Sequence, residues 1–308
     1  MAGGRTSSTP ASAASPDPTG AGGASVPGIL DLAALEEDLA SLGLRELRRI
    51  AGGWQSLAVY EARLDGQRVA VKALDSRLTD RGDLRVRLDV LSSLAATSDI
   101  VCAPVTAGGR LVNEVQAGEA DPVHVVAYEF AEGDPPDIRQ PDDGAHMARV
   151  LAEVHASLAA LRPCDLPALA AFPPRSDGPR QLLHGDFSSK NLRVAGARWR
   201  LFDFDDCGYG PIELDLANSL YFVLFDSLTG SDHDDYRRFR ASFLAGYRDR
   251  SGTVPTDAVL DRLITRRVLA LASWLAEPDT APPGVRTASE EWRTTLRGFV
   301  RRYLGTVT

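Results

Sequence analysis

Hydrophobic and polar residues follow two different spacings along this chain, and the change falls near residue 133. Between residues 47 and 130, short apolar runs are separated by turn residues, a pattern typical of β-strands. After residue 133, apolar positions recur every three to four residues, as they do on one face of a helix. The sequence therefore predicts an α+β protein with an N-terminal antiparallel sheet and a mainly helical C-terminal part.

The N-terminal part is predicted to contain a helical segment, an antiparallel meander, a second helix and two further strands. In order, these are 29–47, a strand entering 52–56, then 57–64, 68–74, 83–96, 101–115 and 122–130. Asp65-Gly66 marks the turn inside the meander, because Asp-Gly between apolar runs favours a tight hairpin.

The C-terminal part is predicted to be helical, apart from two short apolar runs that end in acidic residues. The predicted helices are 144–161, 214–225, 235–248, 256–276 and 289–304, and the two short runs are 182–183 and 199–204. We find no internal repeat.

Composition excludes several classes of function. Residues 1–27 are rich in Ala, Gly, Ser, Thr and Pro without the apolar core of a secretory signal, which predicts a disordered leader. The chain has no apolar run of the roughly 20 residues that a membrane span needs, so we expect a cytoplasmic protein without a membrane partner. The net charge of −8 argues against nucleic-acid binding. The 3 cysteines show no zinc-binding spacing and are predicted to be buried thiols.

Lysine is almost absent from the sequence. Of the 34 basic residues, only Lys72 and Lys190 are lysines, and the others are arginines. An ammonium group is a compact point charge, whereas a guanidinium is a planar fork, so a position that keeps lysine in such a chain indicates a specific need for the smaller cation. Each of the two lysines lies in a motif.

The clearest chemical signal is the segment His184-Gly185-Asp186-Phe187-Ser188-Ser189-Lys190-Asn191, followed by Asp203. Phosphoryl transfer needs a carboxylate to orient the attacking hydroxyl, and an amide oxygen and a second carboxylate to hold magnesium on the phosphates. Asp186 suits the first task, and Asn191 and Asp203 suit the second. The step of five residues from Asp186 to Asn191 is that of the protein-kinase catalytic loop.

With these residues the sequence resembles the aminoglycoside and related antibiotic phosphotransferases, to which choline kinases and homoserine kinases are similar. The resemblance extends over about residues 45–250. Besides the segments around Asp186 and Asp203, it rests on 69–72, 151–155, 210–217 and 243–247. It implies a bilobal protein-kinase-like fold, with an N-terminal nucleotide-binding lobe over 28–130 and a C-terminal catalytic and acceptor-binding lobe over 131–308.

The resemblance also implies which residues bind the phosphoryl donor, ATP or GTP, together with Mg²⁺. Lys72 pairs with the phosphates, and the turn containing Gly52, Gly53 and Ser56 covers them with backbone N–H groups. Backbone groups of Glu129 and Ala131 lie at the hinge between the lobes, where they contact the purine. No P-loop pattern occurs in the sequence, which argues against a Walker-type kinase.

Two further residues, His184 and Asp215, support the site by the same resemblance, and Lys190 is a second candidate catalytic residue by its position four residues after Asp186. His184 braces the loop, and Asp215 accepts hydrogen bonds from the loop backbone. Lys190 either reaches the transferring phosphoryl group or acceptor, or projects into solvent.

One position departs from the family pattern. A glutamate on the helix after the lysine strand normally holds the lysine, but the alignment places Arg87 there, with Asp83 and Asp89 as the nearest acids. The sequence leaves open which acid, if any, pairs with Lys72.

The predicted function is an O-phosphotransferase acting on a hydroxyl of an antibiotic or similar polyhydroxylated metabolite, of the resistance or self-protection type. Two alternatives remain: a kinase of a primary metabolite such as choline, homoserine or a sugar, and a non-catalytic pseudokinase that serves as a binding module. Protein-kinase activity is disfavoured, because the short stretch between Asp203 and the helix near Glu213 leaves no room for a peptide-docking loop.

Overall fold

The computed structural model describes residues 30–50, 56–118, 121–169, 180–230, 234–281, 285 and 288–307. The predicted leader, residues 1–27, lies outside the described residues, and so do Gly52 and Gly53. Across the described ranges, no helix is both long and apolar enough to span a membrane.

The N-terminal part is built on an antiparallel sheet. Its strands are β1 (Arg45–Ile50), β2 (Ser56–Leu64), β3 (Gln67–Asp75), β4 (Pro104–Val105), β5 (Asn113–Val115) and β6 (Val123–Glu129). Their spatial order is β1-β2-β3-β6-β4, and β5 also pairs with β6. The predicted single strand over 101–115 is wrong, because a tight turn between Ala107 and Arg110 separates β4 from β5.

The period-two alternation of β3 divides its side chains between two cores. Val69, Val71 and Ala73 pack in a cluster with α1 (Leu32–Ser41) on one face of the sheet. Leu74 belongs instead to the large core shared by α2 (Arg81–Ala95) and the C-terminal part. Lys72 has the parity of Leu74, so its side chain is directed toward the C-terminal part.

The C-terminal part consists mainly of helices, as predicted. These are α3 (Pro141–Ala160), α4 (Glu213–Thr229), α5 (Asp234–Ser251), α6 (Asp257–Ala276) and α7 (Glu290–Val307). Their bounds confirm the predicted helices to within a few residues. At the contact of α3 with α5, a Cβ on Gly246 would lie 2.3 Å from the carbonyl oxygen of Ala145, so glycine permits this close approach.

Two short antiparallel pairs lie between α3 and α4. The strands are β7 (Gln181–Leu183), β8 (Leu192–Ala195), β9 (Arg198–Leu201) and β10 (Gly208–Gly210), with β7 paired to β10 and β8 to β9. Backbone hydrogen bonds join β9 to the N-terminal part: Cys102 N–H donates to Leu201 O over 2.9 Å, and Leu201 N–H donates to Ile100 O over 2.7 Å. These bonds bring the residues that follow β9 close to the sheet.

Candidate active site

The loop between β7 and β8 carries the predicted catalytic segment. Asp215, on α4, hydrogen-bonds to the backbone of this loop. The Asp215 carboxylate is fully buried and accepts hydrogen bonds from the backbone N–H groups of His184 (3.0 Å) and Gly185 (2.9 Å). It also contacts His155 Nε2 at 3.0 Å, and His155 Nδ1 lies 2.8 Å from the Tyr247 hydroxyl. These buried hydrogen bonds tie the loop backbone to α4, so the network fixes the position of the loop.

Gly185 is required by the path of the loop. Its φ is +88°, and a Cβ at this position would lie 2.1 Å from the carbonyl oxygen of Asp206. A side chain would therefore be disfavoured both by backbone conformation and by direct overlap. The absence of a side chain allows the catalytic loop and the segment after β9 to meet.

His184 connects the two sides of this contact. Its Nδ1 accepts a hydrogen bond from Asp186 N–H over 3.2 Å, and its Nε2 lies 3.0 Å from Phe202 O. A neutral imidazole carries one N–H, so Nε2 is the donor to Phe202. With both ring nitrogens engaged and the side chain fully buried, His184 links the backbone ahead of Asp186 to the backbone ahead of Asp203.

The Asp186 carboxylate is held by three side chains. Asn218 Nδ2 donates to Oδ1 over 2.9 Å, Arg267 Nη2 lies 3.3 Å from the same oxygen, and Asn191 Nδ2 lies 3.3 Å from Oδ2. Burial raises the pKa of Asp186 above its ordinary value, even though the Arg267 guanidinium acts in the opposite direction. The side chain remains 29% exposed, so a hydroxyl can approach it.

Asn191 and Asp203 are brought together by the hairpin of β8 and β9. Asn191 Nδ2 donates to the backbone oxygen of Asp186 over 2.9 Å, and Phe202 N–H donates to the backbone oxygen of Asn191 over 3.1 Å. Because the Asn191 amide nitrogen is used by Asp186, its amide oxygen is the atom left for a cation. Asp203 adopts φ +70°, a left-handed conformation that aspartate tolerates better than most residues.

These two residues fit a magnesium ion shared with phosphates. Mg²⁺ in such sites takes one or two carboxylates, with substrate phosphates and water completing the octahedron. Asn191 and Asp203 supply oxygen donors of this kind. Nowhere in the described part of the chain do three or more His, Cys, Asp or Glu residues form a metal-holding group. Two oxygen donors from the protein leave the rest of an octahedron to phosphates and water.

Lys72 lies opposite these residues and pairs with two carboxylates. Its Nζ is 2.6 Å from Asp203 Oδ1 and 2.8 Å from Asp205 Oδ2. Burial favours the neutral form of each carboxyl, but Lys72 outweighs this effect at Asp203, whose pKa is lowered. At Asp205, burial and the neighbouring Asp203 charge raise the pKa to about 6. The site thus places Lys72 beside one firmly ionised carboxylate and one that holds its proton more tightly.

The acid that pairs with Lys72 does not come from α2. Arg87 turns away and donates through Nε to the backbone oxygen of Cys207 over 3.2 Å. Asp89 pairs with Arg85 on the exposed face of the same helix. Asp203 and Asp205 pair with Lys72 instead, which answers the question of its acidic partner that the sequence left open.

The other residues predicted to bind the nucleotide lie at the edge of this region. Ser56 is the first residue of β2 and is paired with Leu74, two residues beyond Lys72 on β3. Glu129 ends β6, and its backbone N–H donates to Ala103 O over 2.9 Å. The backbone N–H of Ala131 has no hydrogen-bond partner among the described residues.

Lys190 lies on the outer side of the catalytic loop. Its Nζ is 5.1 Å from the centre of the Phe222 ring, 5.7 Å from that of Phe225, and 3.9 Å from Asp226 Oδ1. The side chain is 42% exposed. It therefore lies against α4 with its ammonium accessible, and it makes only a loose ion pair.

A known protein family matches the part of the chain that contains this loop and Asp215. Residues 158–261 match the phosphotransferase enzyme family. The match includes Asp186, Asn191, Asp203 and Asp215, and it confirms both the resemblance seen in the sequence and the prediction of a phosphotransferase. No curated protein matches the sequence significantly.

Solved structures similar to this chain include small-molecule kinases. An amicoumacin kinase solved with AMP-PNP, Ca²⁺ and amicoumacin has a TM-score of 0.71 at 18% identity, covering 88% of this chain and 92% of the other. A microcompartment-associated aminopropanol kinase has a TM-score of 0.66 at 22% identity, covering 88% and 98%. A spectinomycin phosphotransferase solved with ADP and spectinomycin has a TM-score of 0.57 at 12% identity, covering 86% and 93%. These likenesses confirm the predicted protein-kinase-like fold.

Sequence reasoning missed two residues that contact Asp186. Asn218 follows Asp215 by three positions on α4, a spacing that puts both side chains on the same face of the helix. This spacing was available as a signal once Asp215 had been singled out. Arg267 lies on α6, 81 residues from Asp186, and no motif marks it. Only the packing of α6 against α4 brings it to the site.

Proposed function

We propose that this protein transfers the γ-phosphoryl group of ATP or GTP to a hydroxyl of a small molecule, an antibiotic or a similar polyhydroxylated metabolite, with Mg²⁺ on the phosphates. The observation that carries the proposal is the Asp186 carboxylate, partly exposed between Asn218, Asn191 and Arg267, on the same loop as the candidate magnesium ligand Asn191. An open carboxylate next to a cation site is the arrangement that phosphoryl transfer to a hydroxyl needs.

In the proposed reaction, the acceptor hydroxyl hydrogen-bonds to Asp186. Its oxygen forms a bond to the γ-phosphorus while the bond from that phosphorus to the bridging oxygen breaks, which releases the nucleoside diphosphate. The hydroxyl proton passes to Asp186. Most of the rate enhancement comes from orientation and from charge already in place, because little covalent chemistry is left to the protein.

The remaining residues hold the donor. Lys72 exchanges its contacts with Asp203 and Asp205 for the phosphates, and Asn191 and Asp203 would hold Mg²⁺. The ion supplies charge neutralisation on the phosphate oxygens. Residues 28–130 form the nucleotide-binding lobe in this proposal, residues 131–308 form the catalytic and acceptor-binding lobe, and the reaction takes place in the cytoplasm.

The structural relatives act on more than one class of acceptor. Two of them are antibiotic kinases and one is an aminopropanol kinase, so the fold serves both antibiotic and amino-alcohol acceptors in those proteins. Choline recognition through an aromatic cage is not favoured here. Trp274 and Trp292 pack against the main core, Tyr221 is buried in it, and the Tyr209 hydroxyl accepts a hydrogen bond from Cys164 N–H.

The test is phosphoryl transfer from radiolabelled ATP and GTP, with and without Mg²⁺, across hydroxylated antibiotics, amino alcohols, sugars and hydroxy acids. We expect transfer to at least one acceptor class, lost by about 10³-fold or more in Asp186→Asn, while nucleotide binding by that variant is retained. Turnover by Asp186→Asn at the wild-type rate would remove Asp186 from its role. A protein that binds neither nucleotide with Mg²⁺ would support the pseudokinase alternative.

A further inference from the structure

Arg267 places a positive charge on the acceptor side of the site. The transfer step does not require this charge. It projects from α6 toward Asp186, with Nη2 3.3 Å from Asp186 Oδ1 and its side chain 31% exposed. The nucleotide-side cation, Lys72, is fully occupied by Asp203 and Asp205 in the same structure. Arg267 thus approaches Asp186 from α6, whereas Lys72 belongs to β3 of the sheet.

The ion pair between Arg267 and Asp186 leaves much of the guanidinium available. A strong charge-assisted hydrogen bond between such groups is about 2.7–2.9 Å long and is often bidentate. Here a single nitrogen approaches one oxygen at 3.3 Å. A guanidinium carries five N–H donors, so this one contact leaves donors for a ligand.

Aromatic rings hold Arg267 in place without neutralising it. Its guanidinium carbon is 4.8 Å from the centre of the Tyr221 ring and 5.1 Å from that of Phe222. Lys190 Nζ lies 5.1 Å from the centre of the same Phe222 ring. Two cations thus flank Phe222, and the ion pair of Lys190 with Asp226, at 3.9 Å, is also loose.

Several acidic residues that follow Asp203 are bound by cations other than Arg267. Asp205 is bound to Lys72, and Asp235 forms a short ion pair with Arg238. Asp234 lies 3.8 Å from Arg237. A site built for a polycationic acceptor would present unpaired carboxylates, and these three are paired within the chain. The Asp206 charge acts on Asp186 itself.

We propose that Arg267 selects an acceptor that carries a carboxylate near its reactive hydroxyl, that is, a compact hydroxy acid. The inference rests on the proposed function, since it places the reactive hydroxyl at Asp186. A hydroxyl bound to Asp186 Oδ1 and a carboxylate bound to Arg267 Nη2, each at about 2.8 Å, are at most about 9 Å apart, because these two atoms are 3.3 Å apart. Lys190 lies on the same face and adds to the positive potential there.

The test compares matched acceptors that differ in one group: glycerate against glycerol, and homoserine against 3-aminopropanol. Each is assayed with wild type, Arg267→Ala, Arg267→Lys and Arg262→Ala. Arg262 lies on the same helix and is exposed, so it serves as the control. We expect wild type to prefer the hydroxy acid of each pair by tenfold or more in kcat/KM. Arg267→Ala should abolish that preference mainly through KM, Arg267→Lys should restore part of it, and Arg262→Ala should match wild type.

Binding measured separately distinguishes failure of this inference from failure of the proposed function. Calorimetry follows glycerate binding to each variant with AMP-PNP and Mg²⁺ present. Binding to wild type that is lost in Arg267→Ala supports the inference even where no phosphoryl transfer occurs, an outcome that would count against the proposed function alone. Transfer to glycerol or aminopropanol in preference to their hydroxy-acid partners overturns the inference and leaves the proposed function standing. The inference is also overturned if Arg267→Ala lowers kcat/KM equally for both members of a pair, or if wild type binds neither glycerate nor homoserine.

Discussion

The ammonium of Lys72 lies 2.6 Å from the carboxylate of Asp203, a residue 131 positions further along the chain. Asp205 approaches the same ammonium at 2.8 Å, so one buried cation joins β3 to the segment after β9. In the proposed reaction the nucleotide phosphates must replace these carboxylates. The strength of this contact therefore influences how tightly a nucleotide binds.

Replacing Lys72 with methionine should impair the donor side of the reaction. The change keeps the apolar stem but leaves Asp203 and Asp205 next to each other without their cation, and it removes the charge that contacts the phosphates. We expect kcat/KM for ATP to fall by about 10²-fold or more, with the fold retained. Steady-state kinetics with varied ATP, together with circular dichroism, measures both. Wild-type kcat/KM in this variant would contradict the role of Lys72.

The two carboxylates beside Lys72 should behave differently when each is converted to an amide. Asp203→Asn removes a proposed ligand of Mg²⁺, so nucleotide binding should lose its dependence on the ion. Asp205→Asn removes only a contact of Lys72, so binding should remain Mg²⁺-dependent with an altered affinity. Calorimetric titration of ATP with Mg²⁺ and with EDTA compares the pair. An identical response of the two variants would refute the assignment of Asp203 as the ligand.

Asn218 should act by orienting Asp186. Its Nδ2 is 2.9 Å from Asp186 Oδ1, and its own Oδ1 has no partner among the described residues. We expect Asn218→Ala to lower kcat by about tenfold to a hundredfold with nucleotide affinity unchanged, because only the acceptor side is disturbed. Ser227→Ala is the control. Ser227 is buried on the same helix, and its hydroxyl has no partner in the described part of the chain. Equal kcat values in the two variants would exclude this role for Asn218.

Gly185 and Gly196 separate the cost of backbone conformation from that of overlap. Both have positive φ, +88° and +63°, but a Cβ on Gly196 meets nothing within 4 Å, whereas one on Gly185 meets Asp206 O at 2.1 Å. Gly196→Ala should lower the free energy of unfolding by about 1–2 kcal/mol. Gly185→Ala should lower it further and should also abolish turnover. Urea unfolding and activity assays measure both effects. Equal free energies of unfolding for the two variants would show that the loop moves away from Asp206 O without cost.

Asp215 is predicted to be a determinant of stability. Its removal in Asp215→Ala leaves two backbone N–H groups and the His155 ring without their acceptor in a buried place. We expect a loss of about 3 kcal/mol or more in the free energy of unfolding, measured by urea denaturation. Asp249→Ala removes an exposed carboxylate that lies 3.9 Å from Arg149, and its effect should stay within about 0.5 kcal/mol. A similarly small change in the free energy of unfolding for Asp215→Ala would show that contacts other than those of Asp215 hold the loop.

Local pattern was sufficient for most of the elements. The strand alternation around Lys72 and the helical periodicity of α3 to α7 depend on neighbouring residues, so their positions could be predicted to within a few residues. The prediction of one strand over 101–115 was wrong because apolar residues lie on both sides of the tight turn between β4 and β5, so the pattern does not show the break. The short strands β8 and β10 were not predicted, since each is stabilised by a partner strand rather than by its own pattern.

The sequence by itself determined that Asp186 and Asn191 share one loop, the candidate catalytic loop, because they are close in the chain and their spacing reflects one local turn. Only the tertiary structure decided the partners of Lys72 and the presence of Arg267 beside Asp186. Both are contacts between elements distant in sequence, and they depend on how β3 meets the segment after β9 and how α6 packs on α4. Such packing is set by the whole core, where many apolar contacts act together, and no short motif records it.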